Sequence, residues 1–400
     1  MNKQIPFFNL SRQHEKYKNQ IKKNIEKVLE NQAFIGGNFV TQFENNFSKY
    51  LNVNHTVSCN SGTDALWMAL KALNIKKNDI VLTTPFSFIA SSSEILALGG
   101  HPVFIDIDSQ TYNIDTNKLE KWINEECNSN LVHKKTGYRV VGILPVDIFG
   151  QCANYIKIKE IAQKHNLWII QDSCQAVGAH DSAKIFAGNH GDISCFSFYP
   201  TKNLGAYGDG GCCTTNNPKL AEKLMRIRNH GRKSHYNYIE HGINSRLDGI
   251  QAAILDKKLK YIDNFNQKRI EFANIYNKKL SELNNIKLPK NLNGKHVYHQ
   301  YCIELVGINR EIFMQKLKEK GIGTNIYYPK GLNQIEFLNT DQRLKNDCPI
   351  SDNLTHNIVA LPIWPELEIE EINYVANQIK EILSQTNIQF LSKKIETKIR

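Results

Sequence analysis

The chain has 400 residues, 41% of them hydrophobic and 22% charged, with 50 Lys and Arg against 39 Asp and Glu for a formal charge of +11. That mixture excludes disorder as the main state, and the length allows two or three domains or one large unit with an appendage. No run reaches the ~18 apolar residues of a membrane span and no secretory leader pattern precedes the first charges, so the sequence reads as cytoplasmic; the lysines are dispersed, without interleaved aromatics, which argues against nucleic acid as a partner.

Residues 12–32 carry apolar side chains at helical spacing (Tyr17, Ile21, Ile25, Val28, Leu29), predicting an N-terminal helix that ends before the FIGGNFV turn. From there to about residue 215 helical stretches alternate with short apolar runs at 79–84, 102–107, 140–146, 167–172 and 193–198. The alternation predicts an α/β unit, a mostly parallel sheet covered by helices on both faces. A helix near 217–229 and a polar loop at 231–243 follow. A long helical pattern then runs from Ser245 to about Leu283, with room for a break. Beyond it the sequence predicts a strand at 301–306, a helix at 310–320, a short strand at 322–326 and a helix at 369–384, which together suit a small α+β domain. The stretch after about residue 385 is a basic tail. Nine cysteines, scattered and nowhere spaced CxxC, suit reduced core thiols and encode neither a disulfide scaffold nor a metal site.

Four segments carry chemistry. In CNSGTDALWMALKAL (59–73), Ser61, Gly62 and Thr63 precede an amphipathic helix, where exposed amides and the positive helix end make a phosphate cradle; the same residues are also ordinary N-caps. Phe88, after the next strand, can offer an aromatic face to a flat ring or fill a core. In WIIQDSCQAVGA, Asp172 stands at the end of an apolar strand, the place where open α/β sheets bind ligands, with Gln175 just beyond; a carboxylate there can hold a protonated pyridine nitrogen or cap a helix. In FSFYPTKNLGAYGDGGCCTT (196–215), Lys202 follows an apolar strand and precedes Gly205, Gly208, Gly210 and Gly211. A desolvated amine there can form a Schiff base with an aldehyde, although a surface lysine beside a glycine turn fits the same pattern.

Phosphate cradle, ring-stacking aromatic, pyridine-nitrogen carboxylate and Schiff-base lysine occur in the order used by fold type I pyridoxal phosphate enzymes. The chain resembles the DegT/DnrJ/EryC1/StrS family of nucleotide-sugar aminotransferases from FFNLSRQHEKYKNQI and FIGGNFVTQFENNFSKYL through SGTDAL, PVDIFGQ, QDSCQAVGA, FYPTKNLGAYGDGG, RNHGR, GINSRLDGIQAAIL and IYYP to LPIWPEL. The resemblance implies a large cofactor-binding domain over 1–258 and a small C-terminal domain over 259–400. It also implies pyridoxal 5'-phosphate as cofactor, L-glutamate as amino donor and a nucleotide-linked keto sugar as acceptor, in the biosynthesis of surface polysaccharide or lipopolysaccharide.

By motif match, Gly62, Thr63 and Ser197 bind the cofactor phosphate, Phe88 stacks on its ring, Asp172 pairs with the ring nitrogen, Gln175 contacts the phenolic oxygen, and Lys202 is Schiff-base lysine and proton carrier. Asn244, donated by the partner chain of a homodimer, reaches the phosphate, and Arg246 from the same partner reaches the substrate. Tyr327 and Tyr328 of IYYP face the sugar, Tyr327 standing where the family often has His. The FxPxKxLGxxGDGG pattern favours a 3-keto over a 4-keto sugar, with the glycines expected to leave room for the sugar edge. A noncatalytic cofactor-binding regulator is the reading from another class.

Overall fold

The computed structural model describes residues 4–384, so the basic C-terminal stretch lies outside the described residues. A seven-stranded sheet forms the centre, from β1 (His55–Cys59), β2 (Ile80–Thr83), β3 (His101–Phe104), β4 (Val140–Leu144), β5 (Trp168–Asp172), β6 (Ile193–Ser197) and β7 (Gly211–Thr215). The spatial order is β1-β7-β6-β5-β4-β2-β3. From β6 to β3 all neighbours are parallel, and β7 alone runs antiparallel to the strands beside it. Consecutive residues of a strand enter different cores. Val81, Leu144, Ile170 and Cys195 lie in one buried cluster, and Ile80, Leu82, Ile143 and Ile169 in a second. Phe196 and Cys212 join a third, with Phe43 and Phe47 of the helix Gly37–Leu51. Because side chains alternate between faces, strands with both sets buried are covered on both sides, as the unbroken apolar runs predict.

An exposed hairpin, β8 (Arg232–Ser234) with β9 (Asn237–Tyr238), occupies part of the predicted polar loop. A second sheet, β10 (Ile286–Lys287), β11 (Tyr301–Leu305) and β12 (Ile358–Leu361), is antiparallel and shares a core with the helices Arg310–Glu319 and Ile369–Ser384. Ile5 belongs to that core and bridges Ile322. Arg12, on the helix Ser11–Glu30, clamps Glu371 through both Nη atoms at 2.6 and 2.8 Å. The N-terminal residues therefore help to build the C-terminal part.

One predicted element requires correction, and a second shows the break that was allowed for but starts later than predicted. Segment 322–326 is not a strand: it makes single bridges, Ile322 to Ile5 and Asn325 to Ala360. Glycine is required within it, since a Cβ on Gly323 would lie 2.5 Å from the Phe7 amide nitrogen. The long helical pattern from Ser245 is two helices, Gly249–Leu259 and Ile262–Leu280, parted at Lys260 and Tyr261. Residues before 249 are kept out of the helix because the Ile243 and Ser245 amides donate to the carbonyls of Ile227 and Arg228, at 2.9 Å each. The nine cysteines are free thiols, all buried except the partly exposed Cys174. No helix among the described residues is long and apolar enough to cross a membrane.

Candidate active site

The C-terminal ends of β5 and β6, the start of the helix Gly62–Ala72 and the loop after β6 enclose a cavity of about 520 Å³. Gly62, Thr63, Phe88, Asp172, Gln175, Ser197, Lys202, Tyr327 and Tyr328 all line it. Nine positions spread over more than 260 residues of sequence thus meet in one place.

The helix start is built for close approach. Ser61 caps the helix, its Oγ accepting from the Asp64 amide at 3.1 Å, which leaves the first-turn amides of Gly62 and Thr63 without an intrahelical acceptor. A Cβ on Gly62 would stand 2.7 Å from Ser197 Cβ and 3.0 Å from Cys174 Sγ, and one on Gly211 would stand 2.4 Å from the Ser61 carbonyl carbon. Glycine at both positions lets the helix end sit directly against β6 and β7, with the Thr63 and Ser197 side chains at the cavity beside it.

Asp172 is buried and held in one orientation: Oδ2 accepts from Ser91 Oγ at 2.7 Å and Oδ1 from the Cys174 amide at 3.1 Å. Ser91 is itself 2.8 Å from Ser87 Oγ. Below this strand end, buried Asp147 ties both chain neighbours of Asp172, its Oδ2 accepting from Gln171 Nε2 at 2.7 Å and from Ser173 Oγ at 2.8 Å. Burial pushes the Asp147 carboxyl up to about 6, against the pull of these donors. Gln175 is fixed at both ends of its amide, accepting from the Phe149 amide at 2.8 Å and donating to Tyr328 Oη at 3.0 Å. Burial raises the Tyr328 phenol, which stays protonated. Phe88 keeps 57% of its surface exposed at the cavity wall, so its ring face is available and is not core.

Lys202 sits on a turn closed by its own amide donating to the Tyr199 carbonyl at 2.8 Å. Desolvation pushes its pKa down, opposed by Cys174 and Asp172, so a larger share of the amine is neutral and nucleophilic. Among the described residues its Nζ has no hydrogen-bond partner. The following glycines serve a purpose other than the one the sequence suggested. A Cβ on Gly205 would meet the Pro200 carbonyl oxygen at 2.3 Å, and those on Gly208 and Gly210 would meet Gln251 and Leu247 at 3.1 Å. They fold the loop back on protein and clear no room for a sugar.

Asn244 and Arg246 stand apart from the other nine and do not line the cavity within this chain. Asn244 bridges Asn229, and Arg246 Nη1 donates to Asn229 Oδ1 at 3.3 Å while its buried Nε has no partner among the described residues. Between them, Ser245 is buried and donates to Asp64 at 2.6 Å, anchoring the segment to the helix that starts at Gly62. The sequence reading missed Ser91, Cys174, His299 and Gln300, all of which line the cavity. Only Cys174 had a local signal, lying between Asp172 and Gln175.

The donor set fits a phosphorylated pyridine aldehyde: free amides with two hydroxyls, an oriented carboxylate, a desolvated amine and an uncovered aromatic face. Fold and site define a pyridoxal phosphate aminotransferase of fold type I. The chain belongs to the DegT/DnrJ/EryC1/StrS aminotransferase family, which it matches over residues 15–380, and pyridoxal 5'-phosphate is its cofactor. It is 36% identical to the pleiotropic regulatory protein of Geobacillus stearothermophilus over 94% of this chain and 98% of that protein. It is likewise 36% identical to the UDP-N-acetyl-3-dehydro-alpha-D-glucosamine 3-aminotransferase of Acidithiobacillus ferrooxidans, over 96% and 99%. The solved DegT DnrJ EryC1 StrS aminotransferase from Brucella abortus has a TM-score of 0.89 to this chain at 32% identity, covering 95% of this chain and 100% of that one.

Proposed function

We propose that the protein moves the amino group of L-glutamate to C3 of a UDP- or dTDP-linked 3-keto hexose destined for surface polysaccharide or lipopolysaccharide. The observation that carries this reading is the near full-length similarity to an enzyme named for 3-amination of a UDP sugar. The FYPTKNLGAYGDGG segment around Lys202 points the same way.

When bound, the cofactor supplies an aldehyde that takes up the amino group and a ring that withdraws negative charge from the reacting carbon. Gly62 and Thr63 amides, with the Thr63 and Ser197 hydroxyls, bind the phosphate. Asp172, oriented by Ser91 and the Cys174 amide, holds a proton on the ring nitrogen. Gln175 orients the phenolic oxygen, and Phe88 covers one ring face. Lys202 Nζ would take the proton from the amino-acid α-carbon and deliver it to the aldehyde carbon of the cofactor, two bonds away across the amino nitrogen, and would run the transfer in reverse with the sugar. Tyr327 and Tyr328 line the side where the sugar enters. The regulator reading draws on the names of the Geobacillus relative and of the sensory transduction protein EryC1 of Saccharopolyspora erythraea; it leaves Lys202 its hold on the cofactor but no proton to carry.

Incubation with glutamate and matched 3-keto and 4-keto nucleotide sugars, UDP- and dTDP-linked, followed by NMR of the product, tests the proposal. The amine is expected at C3, with 2-oxoglutarate released in equal amount. An amine at C4 makes the 4-keto reading correct, and no 2-oxoglutarate from any pair favours the regulator.

The same reading assigns Asn244 and Arg246 to the active site of the partner in a homodimer. Each site then contains Lys202 of one chain and Asn244 of the other. Mixing inactive Lys202→Ala chains with inactive Asn244→Ala chains should recover activity, because a hybrid dimer holds one site with both residues intact. No recovery, with subunit exchange verified by mass, sinks the shared site.

A further inference from the structure

His299 lies on the linker before β11, pinned from two sides. Its amide donates to the Phe149 carbonyl at 2.8 Å, and Arg269 Nη1 donates to the Tyr298, His299 and Ile363 carbonyls at 3.3, 3.2 and 2.7 Å. His299 is 6% exposed and lines the same cavity as Lys202. Its tautomer follows from its neighbours. Asn266 Nδ2 donates to the Val177 carbonyl at 2.9 Å, which turns Asn266 Oδ1 toward Asn203. Asn203 Nδ2 therefore donates to that oxygen at 2.7 Å and to the Val297 carbonyl at 3.2 Å. Asn203 Oδ1 is left facing His299 Nδ1 at 3.1 Å. A carbonyl oxygen only accepts, so Nδ1 carries the hydrogen and Nε2 the lone pair. Burial, with the charges of Lys202 and Arg269, holds the imidazole neutral by pushing its pKa well down. Among the described residues Nε2 has no hydrogen-bond partner. The amide that sets this tautomer belongs to Asn203, the residue next to Lys202.

We propose that His299 is a positioning residue for Lys202: fixed as the Nδ1–H tautomer by Asn203, it offers Nε2 as the acceptor for the Lys202 amine when that amine carries the proton it moves. The proposal rests on the reading of Lys202 as proton carrier. A flexible lysine loses rotamer freedom when it acts, and an acceptor fixed by a chain of two asparagine amides supplies the orientation in advance.

Two variants separate anchoring from acceptance. In His299→Asn the amide nitrogen can stand where Nδ1–H stood, keeping the bond to Asn203, while the Nε2 position is empty; in His299→Gln the longer side chain brings a carbonyl oxygen to the Nε2 position. His299→Asn is expected to keep its cofactor content and its KM for glutamate but lose about tenfold in kcat of the glutamate half-reaction, the scale of one charge-assisted hydrogen bond. His299→Gln is expected to regain most of that loss. Normal kcat in His299→Asn, or His299→Gln no faster than His299→Asn, overturns the proposal. Nitrogen-15 histidine spectra of the holoenzyme read the tautomer without any variant, and a proton found on Nε2 overturns it even if both variants misfold. Lys202→Ala distinguishes the two levels: a Lys202→Ala enzyme that still turns over sinks the reading of Lys202 itself, whereas an inactive one beside a normal His299→Asn sinks only the role of His299.

Discussion

Lys202→Ala is expected to abolish transamination, lowering kcat by roughly 10⁴-fold or to background, because in the proposed reading one side chain supplies both the covalent hold on the cofactor and the proton transfer. The loss is separable from unfolding. Lys202 makes no side-chain hydrogen bond among the described residues, and the hydrogen bond from its backbone amide to the Tyr199 carbonyl survives the change. The residues proposed to bind the phosphate, Gly62, Thr63 and Ser197, are untouched. The variant should therefore melt near the parent and still take up pyridoxal phosphate reversibly. The visible absorption band of the covalently held cofactor should vanish, as should its bleaching by glutamate. A Lys202→Ala protein that keeps that band and produces 2-oxoglutarate would require another nucleophile in the cavity.

The parts of this site that were legible in the sequence are those whose chemistry lies in a contiguous segment. Ser61, Gly62 and Thr63 announce a helix start and Asp172 a strand end, and Lys202 stands in a motif of its own. Apolar runs revealed β2 to β6, since strands buried on both faces need no polar alternation. What stayed hidden depends on contacts between distant segments. Ser91 orients Asp172 across 81 residues, and His299 reaches Asn203 across 96; a serine in a short helix and a histidine before a strand carry no local mark of either task. β7, GCCTT, has neither alternation nor a long apolar run, and only its two antiparallel neighbours define it. The error at 322–326 has the same origin, because strand composition alone does not show that the segment pairs only through single bridges, to Ile5 and to Ala360. The glycines after Lys202 were visible as glycines, but their partners, Pro200, Gln251 and Leu247, were not. Preference for C3 therefore draws nothing from clearance in that loop and rests on similarity.

Asp172→Asn is the second large effect, and it separates binding from chemistry. The substitution keeps the size and one oxygen, and Ser91 and the Cys174 amide, which now donate to the carboxylate, can still reach that oxygen or face an amide nitrogen that cannot accept. The negative charge opposite the ring nitrogen is lost. Without it the ring has less reason to stay protonated and withdraws less charge from the reacting carbon, a deficit that grows as the transition state is approached. Cofactor content should fall modestly, because the phosphate cradle and Phe88 are intact. The kcat of both half-reactions should drop on the order of 10²-fold or more, by analogy with the removal of one preorganised electrostatic group. Asp147 offers a control on position. Its carboxylate ties Gln171 and Ser173, the residues on either side of Asp172, so Ser173→Ala loosens the strand end while leaving the Asp172 charge in place. Its effect on kcat should be much smaller than that of Asp172→Asn. If Asp172→Asn turns over at near the parental rate with full cofactor, or if Ser173→Ala is equally damaging, the charge of Asp172 is not what drives the reaction.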